Sequence, residues 1–272
     1  MPQHRTMDAD QARSWLAARK PQDHTLLDVR QDWEYAEAHL PGARHIPLGE
    51  LAERAGELDP GRPTVVYCRT GGRSAAAAAL LAGRGFAQVF NLAGGITAWS
   101  GAAAAGPPDA GLRALPENGD PAQIVLRAWG MEAALGDFYT AMAGQTRGEV
   151  AATLTRLAGF EERHKARLLE TYRRMTGREP EPGAGGSPGE AAPLEGGLSA
   201  AEFIALHGPD FTDPRAVVET GMMFEAQAMD LYARCAARAA TPEARDLLAT
   251  LAREEQAHLK ALGSVLDRLD RD

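Results

Sequence analysis

The chain has 272 residues, 44% of them hydrophobic, enough to bury a substantial core and, at this length, to form two domains rather than one. Its 29 basic and 37 acidic residues leave a formal charge of -8, which argues against nucleic acid or an anionic membrane as the main partner and for small molecules or proteins. No run approaches the ~18 apolar residues that span a bilayer and residues 1–10 have no apolar core, so a cytoplasmic location is expected; two cysteines, Cys68 and Cys235, exclude a disulfide framework and a four-thiolate metal site.

From the N-terminus to about Ser100, short β-branched runs at 25–29, 64–67 and 88–91 alternate with helical patterns such as 8–20 and 74–83, the signature of a parallel α/β sheet. Residues 1–105 are read as this α/β domain and residues 106–119, punctuated by Gly and Pro, as a linker. Residues 120–272 then lose every strand signal. Asp120-Pro121, Asp213-Pro214 and Thr241-Pro242 each set a capping side chain before a proline at a helix start, and Thr146 with Glu149 reads as a capping box. The expected helices are 121–144, 147–176, 214–239 and 242–269. A crossover at 177–213, with a short helix near 200–206, makes two hairpins of a four-helix bundle.

In the α/β unit, the run 64–67 ends in Cys68-Arg69-Thr70-Gly71-Gly72-Arg73, and Ser74 opens an alanine-rich helix. A thiol at a strand's C-terminal end, facing a helix N-terminus and flanked by two arginines, is placed to meet an anion and to ionise near neutrality. Cysteine-based phosphatases share that logic but set five residues between Cys and Arg, whereas Cys68 and Arg73 are separated by four, which suits sulfur better than a tetrahedral phosphate. The loop, with Leu27-Asp28-Val29-Arg30 and the passage 37–43, resembles a single-domain rhodanese over roughly residues 5–100. The resemblance implies a thiosulfate-type sulfurtransferase with Cys68 as nucleophile and a persulfide intermediate. Arg69, Thr70, Gly71, Gly72 and Arg73 would bind the substrate, and a small sulfur donor and a thiol or cyanide acceptor would be its partners. Asp28, Arg30 and His39 are expected to be structural support.

In the helical unit, Glu132 shares a face with Val125, Ala128, Leu135 and Tyr139, and Glu225 with Val218, Met222, Met229 and Tyr232. Glu161-x-x-His164 and Glu255-x-x-His258 lie in the apolar seams of the second and fourth helices, with Glu162 and Glu254 off the stripe. Four buried carboxylates cost several kcal/mol apiece unless neutralised, and two divalent cations would balance them. The offsets from Glu132 to Glu225, Glu161 to Glu255 and His164 to His258 are 93, 94 and 94 residues, an internal repeat of one hairpin in the other.

This constellation resembles the ferritin-like superfamily, rubrerythrin above all. It implies two iron or manganese ions held by Glu132, Glu161, His164, Glu225, Glu255 and His258. Two departures stand out: the cysteines cannot build a rubredoxin, and position 228, where rubrerythrins carry a further glutamate, is alanine. Three functions follow: a sulfurtransferase with a metal-binding bundle, a di-iron oxidoreductase served by the rhodanese, or a bundle that only oligomerises the chain as a homodimer. Cys235, among alanines, is expected to be a core residue.

Overall fold

The computed structural model describes residues 4–109, 112, 115, 120–181 and 212–269. The short helix expected near 200–206 and most of the 177–213 crossover lie outside these residues.

The N-terminal domain holds a five-stranded, wholly parallel sheet: β1 (Arg5–Met7), β2 (Thr25–Asp28), β3 (Arg44–His45), β4 (Thr64–Tyr67) and β5 (Val89–Leu92), in the order β1-β5-β4-β2-β3. The sequence announces only the three central strands. These are apolar runs buried on both faces, as parallel strands covered by helices must be. Edge strands β1 and β3, three and two residues long, carry polar side chains and no hydrophobic run that would mark them. Helices α1 (Ala9–Ala17), α2 (Asp32–Glu37), α3 (Leu48–Arg54) and α4 (Gly72–Gly83) complete the layers. On α4, Ala77, Ala78, Leu81 and Ala82 are buried against the sheet, where small side chains let helix and strands approach closely.

The C-terminal domain consists of α5 (Pro121–Gln145), α6 (Gly148–Thr176), α7 (Pro214–Arg238) and α8 (Pro242–Leu269), paired α5 with α6 and α7 with α8 as the two expected hairpins. Asp120 accepts from the Ala122 amide, Asp213 from the Arg215 amide and the Thr241 hydroxyl from the Ala244 amide, so all three proline-led starts are capped as read. The Thr146–Glu149 capping box does not form: Thr146 donates its hydroxyl back to the Met142 carbonyl and closes α5 instead, leaving Arg147 at the head of α6 with no side-chain cap. Here the Thr146 hydroxyl serves the end of the preceding helix. Two apolar layers fill the bundle, one around Val125, Ala128, Tyr232 and Leu251, the other around Leu135, Tyr139, Leu157 and Phe224. The inward carboxylates lie between them.

The domains dock on α7. Asp230, fully buried, accepts the Gly42 amide at 2.9 Å and the Arg234 guanidinium at 2.6 Å, and lies 3.3 Å from His39 Nε2. Gln227 accepts the Ala105 amide and Arg234 donates to the Pro108 carbonyl. The described part of the linker is thus tied to the bundle at Pro108, and Leu115 is buried in the bundle core.

Candidate functional site

β4 runs out at Tyr67 and delivers Cys68 to the C-terminal edge of the sheet. The helix begins at Gly72, two residues before the expected Ser74, because Gly71 at φ 101° turns the chain into α4. A side chain at Gly71 would crowd the Gly94 amide and Leu92 carbonyl, and one at Gly95 would overlap the Cys68 carbonyl. The turn after β5 packs directly on the loop, the Ile96 amide donating to the Cys68 carbonyl and the Thr97 amide to that of Arg69.

On the sulfur itself, the Gly71 amide donates to Sγ at 3.1 Å, and the Ser74 hydroxyl lies 3.4 Å away. Burial pushes the Cys68 thiol up, but hydrogen bonds from the Ser74 hydroxyl and amide and from the Gly71 and Thr70 amides outweigh it and leave the thiol below its ordinary value. The anion is therefore held mainly by the loop's N–H and O–H groups, with the Arg73 guanidinium adding to them. Ser74 Oγ is also 2.6 Å from Asn91 Oδ1 and 3.1 Å from the Gly71 carbonyl, so its single proton has three acceptors in reach.

The two arginines differ. Arg73 makes a bidentate pair with Glu34 at 2.6 and 2.7 Å, which holds the Glu34 carboxyl at about 2, and it also meets the Cys68 sulfur. Arg69 is exposed, as are Thr70 and Gly72. Cys68 is only 1% exposed, a thiol at the floor beneath a rim of exposed loop residues. Behind the loop, Asp28 and Arg30 form a buried pair, Arg30 donates to the Ala38 carbonyl, and His39 stacks on Tyr35 at 3.8 Å. These are supports, as expected.

In the bundle, Glu132, Glu161, Glu225 and Glu255 are each 0–1% exposed and converge with His164 and His258. His164 Nδ1 is 2.9 Å from Glu132 Oε1, and His258 Nδ1 is 3.2 Å from both Glu225 and Glu255. Two sets, Glu132–Glu161–His164 and His164–Glu255–His258, each bring ligand atoms within 4.8 Å of one another. Neither oxygen of Glu161 accepts from a nitrogen or hydroxyl donor among the described residues. Burial, with the neighbouring Glu225 charge, pushes its carboxyl up to about 7. Buried carboxyls pressed against one another, one of which resists ionising, are what a cation would correct, and the oxygen and imidazole donor set fits iron or manganese. Gly136 makes room, since a Cβ there would lie 3.2 Å from Glu161 Cβ.

The sequence reading put Glu254 outside the cluster. The structure brings its Oε2 to 3.1 Å from His164 Nε2, because a long side chain one position off the stripe still reaches the seam. Asp230 also went unread; a lone acid on a helix face gave no motif. Cys235 is buried in the bundle core as expected.

A sulfur-handling α/β domain joined to a ferritin-like helical bundle is the class that these two sites define. Comparison with known proteins agrees: a rhodanese-like domain matches residues 8–102 and rubrerythrin matches residues 123–266, just over half of the chain. The chain belongs to the rubrerythrin family and carries a rhodanese-like domain ahead of its bundle. A sulfurtransferase of Allochromatium vinosum is 39% identical over 79 residues, 29% of this chain and 74% of the relative. A thiosulfate sulfurtransferase of Pseudomonas putida is 36% identical over 84 residues, 31% of this chain and 76% of the relative. A Bacillus subtilis protein with a provisional sulfur-carrier name is 43% identical over 76 residues, 28% of this chain; there the match spans only 41% of the relative's length. At family level the N-terminal domain is that of a sulfurtransferase and the bundle that of a metal-binding protein. No described helix is long and apolar enough to cross a membrane.

Proposed function

We propose that the chain moves sulfane sulfur from thiosulfate, or a donor of similar size, to a thiol or cyanide acceptor through a persulfide on Cys68. The observation that carries this reading is the convergence of amide and hydroxyl donors on Cys68 Sγ at the C-terminal edge of the sheet. The thiolate attacks the outer sulfur of thiosulfate. A bond forms from Sγ to that sulfur as its bond to the sulfonate sulfur breaks, and the electron pair leaves with sulfite. Arg69, exposed on the rim, offsets the sulfonate charge, and Thr70, Gly71 and Gly72 supply the loop backbone around it. Arg73, tied to Glu34, fixes the loop and adds positive charge beside the sulfur. An acceptor thiolate or cyanide then attacks the terminal sulfur and Cys68 returns as thiolate. A floor-set thiol under an exposed rim favours a small donor. Cys68→Ala abolishes transfer from thiosulfate to cyanide, and the wild-type protein treated with thiosulfate gains the mass of one sulfur atom at Cys68; an unchanged rate in the variant refutes the reading.

The bundle, on this reading, holds two iron ions, with manganese the alternative, through Glu132, Glu161, His164, Glu225, Glu255 and His258. Bound iron would supply one-electron redox chemistry that these side chains lack. The residues themselves bring four negative charges to match two divalent cations, and the apolar layers on either side keep bulk water out. The burial of Glu161 against the neighbouring Glu132 and Glu225 carboxyls favours this over a purely oligomerising bundle. Metal analysis tests it: about two metal ions per chain, lost in Glu161→Ala and Glu255→Ala, against a metal-free wild-type protein from iron-replete cells.

A further inference from the structure

Between the two domains lies a cleft of about 640 Å³, a size usual for small-molecule sites, which favour domain interfaces. One wall is the N-terminal edge of the sheet, where Thr25 opens β2 and Arg44 opens β3; the other is the α7–α8 hairpin. The single turn Pro21–Asp23 packs on both helices and brings Gln22 to the lining. Cys68 stands at the opposite, C-terminal edge of the sheet, and neither its loop nor the six bundle donors line the cleft. Leu26, Leu40, Met222, Met229 and Leu259 give it an apolar floor. Six cationic side chains, Arg13, Arg19, Arg44, Arg62, Arg245 and Lys260, line it against two acids, Glu57 and Asp59, in a chain whose formal charge is -8. Arg13 is paired with Asp10, Arg44 with Glu57 and Arg62 with Asp59. Arg19 donates to the Trp15 carbonyl and Arg245 to that of Ala239, and neither they nor Lys260 meet a carboxylate among the described residues. Gln22 Oε1 is buried with no donor among the described residues.

Arginines above an apolar floor suit a flat ring that carries phosphate: guanidinium groups grip phosphate oxygens bidentately and stack on ring faces, and methionine thioethers pack on aromatic rings. An acyl chain would use the floor but leave Gln22 Oε1 without a donor, whereas the amino group of a base or a ribose hydroxyl supplies one. Length narrows the class further. Arg245 and Lys260 are fifteen residues apart on α8, about 22 Å along its axis, so positive charge extends well beyond the reach of one nucleotide. We propose that the cleft binds a dinucleotide, with its phosphates among the arginines, its rings on the Met and Leu floor, and a base or ribose donor on Gln22 Oε1. The ligand touches both domains and so tightens their docking. The site is separate from the Cys68 loop and from the carboxylate cluster, and it stands or falls independently of the functions proposed for them.

The full chain is dialysed to equilibrium against NAD+ and against FAD, and bound dinucleotide is read by its absorbance. At least one of them binds with a dissociation constant in the micromolar range, and ADP, the half-length probe, binds about tenfold or more weakly by comparison. Arg19→Ala and Arg245→Ala, one in each domain and both at exposed positions, each weaken binding about tenfold or more, and Gln22→Leu weakens it as well. Alkylation of Cys68 by iodoacetamide keeps its rate at saturating dinucleotide, because the two sites lie at opposite edges of the sheet. Absence of binding by either dinucleotide up to about 1 mM overturns the proposal on the wild-type chain alone. So do ADP binding as tightly as the dinucleotides, unaltered binding in either arginine variant, protection of Cys68 from alkylation, or hexadecanoate binding more tightly than either dinucleotide and displacing it.

Discussion

Replacing Ser74 by alanine removes the one side-chain hydroxyl that reaches the Cys68 sulfur, at 3.4 Å, and leaves the Gly71 amide at 3.1 Å in place. A hydrogen bond to a charged group contributes about 1.5–3 kcal/mol, roughly a ten- to hundredfold change in the balance between thiol and thiolate. The Ser74 proton is contested by the Gly71 carbonyl at 3.1 Å and Asn91 Oδ1 at 2.6 Å, and the contact to sulfur is long, so the effect falls at the lower end, about tenfold. The sign is fixed by the cause: losing a donor to the anion raises the thiol pKa. The ultraviolet absorbance of the thiolate against pH, referenced to Cys68→Ala to remove Cys235, should show a midpoint displaced upward in Ser74→Ala. Alkylation by iodoacetamide should slow about tenfold on the acid side of the wild-type midpoint and converge with wild type in alkali. An unmoved or lowered midpoint would show that Ser74 does not hold the sulfur anion and that the loop amides act alone.

Asn91→Asp places a carboxylate that demands the Ser74 proton, and the same absorbance titration should move upward as in Ser74→Ala; a downward shift would reverse the assigned direction of that bond. Glu34→Gln frees Arg73 and removes a carboxylate held at about 2 against an ordinary 4.5, so urea unfolding at pH 7 should show a loss of about 2–3 kcal/mol, and wild-type stability would refute it. Because that pKa is depressed, the contribution is present above about pH 4.5 and disappears as pH falls through about 2. Asp230→Ala leaves Arg234 buried without its carboxylate and should cost about 3–5 kcal/mol, splitting a single unfolding transition into separate ones for the two domains; one unchanged transition would place the docking elsewhere.

The central strands, the four bundle helices and the six-donor cluster were legible because each rests on a periodic or repeated pattern: β-branched runs at 25–28 and 64–67, seams carrying Glu-x-x-His, and offsets of 93 and 94 residues. Strands β1 and β3 were not, since strands of three and two residues at a sheet edge, with no hydrophobic run, acquire their conformation from pairing with β5 and β2, not from their own composition. The loop's residue types were legible, its electrostatics less so. Two arginines beside a cysteine suggest guanidinium stabilisation, but only coordinates show that Glu34, 39 residues earlier, already claims Arg73. Glu254 was missed for a related reason: a helical wheel sorts Cα directions, whereas a glutamate side chain reaches past the next seam position.

His39, behind the Cys68 loop, bears on how the two sites are placed. Its ring stacks on Tyr35 of α2, the helix whose Glu34 grips Arg73, and its Nε2 faces Asp230 of α7, the helix that carries Glu225. Burial pushes the Asp230 carboxyl up, but the His39 and Arg234 side chains and the Gly42 amide outweigh it and hold it below its ordinary value. A depressed carboxylate gives a contact that is present above the ordinary carboxylate range and lost only as pH falls below it. The Asp230 carboxylate at the joint therefore stays charged above the ordinary carboxylate range, so pH effects on sulfur transfer there do not arise from its protonation.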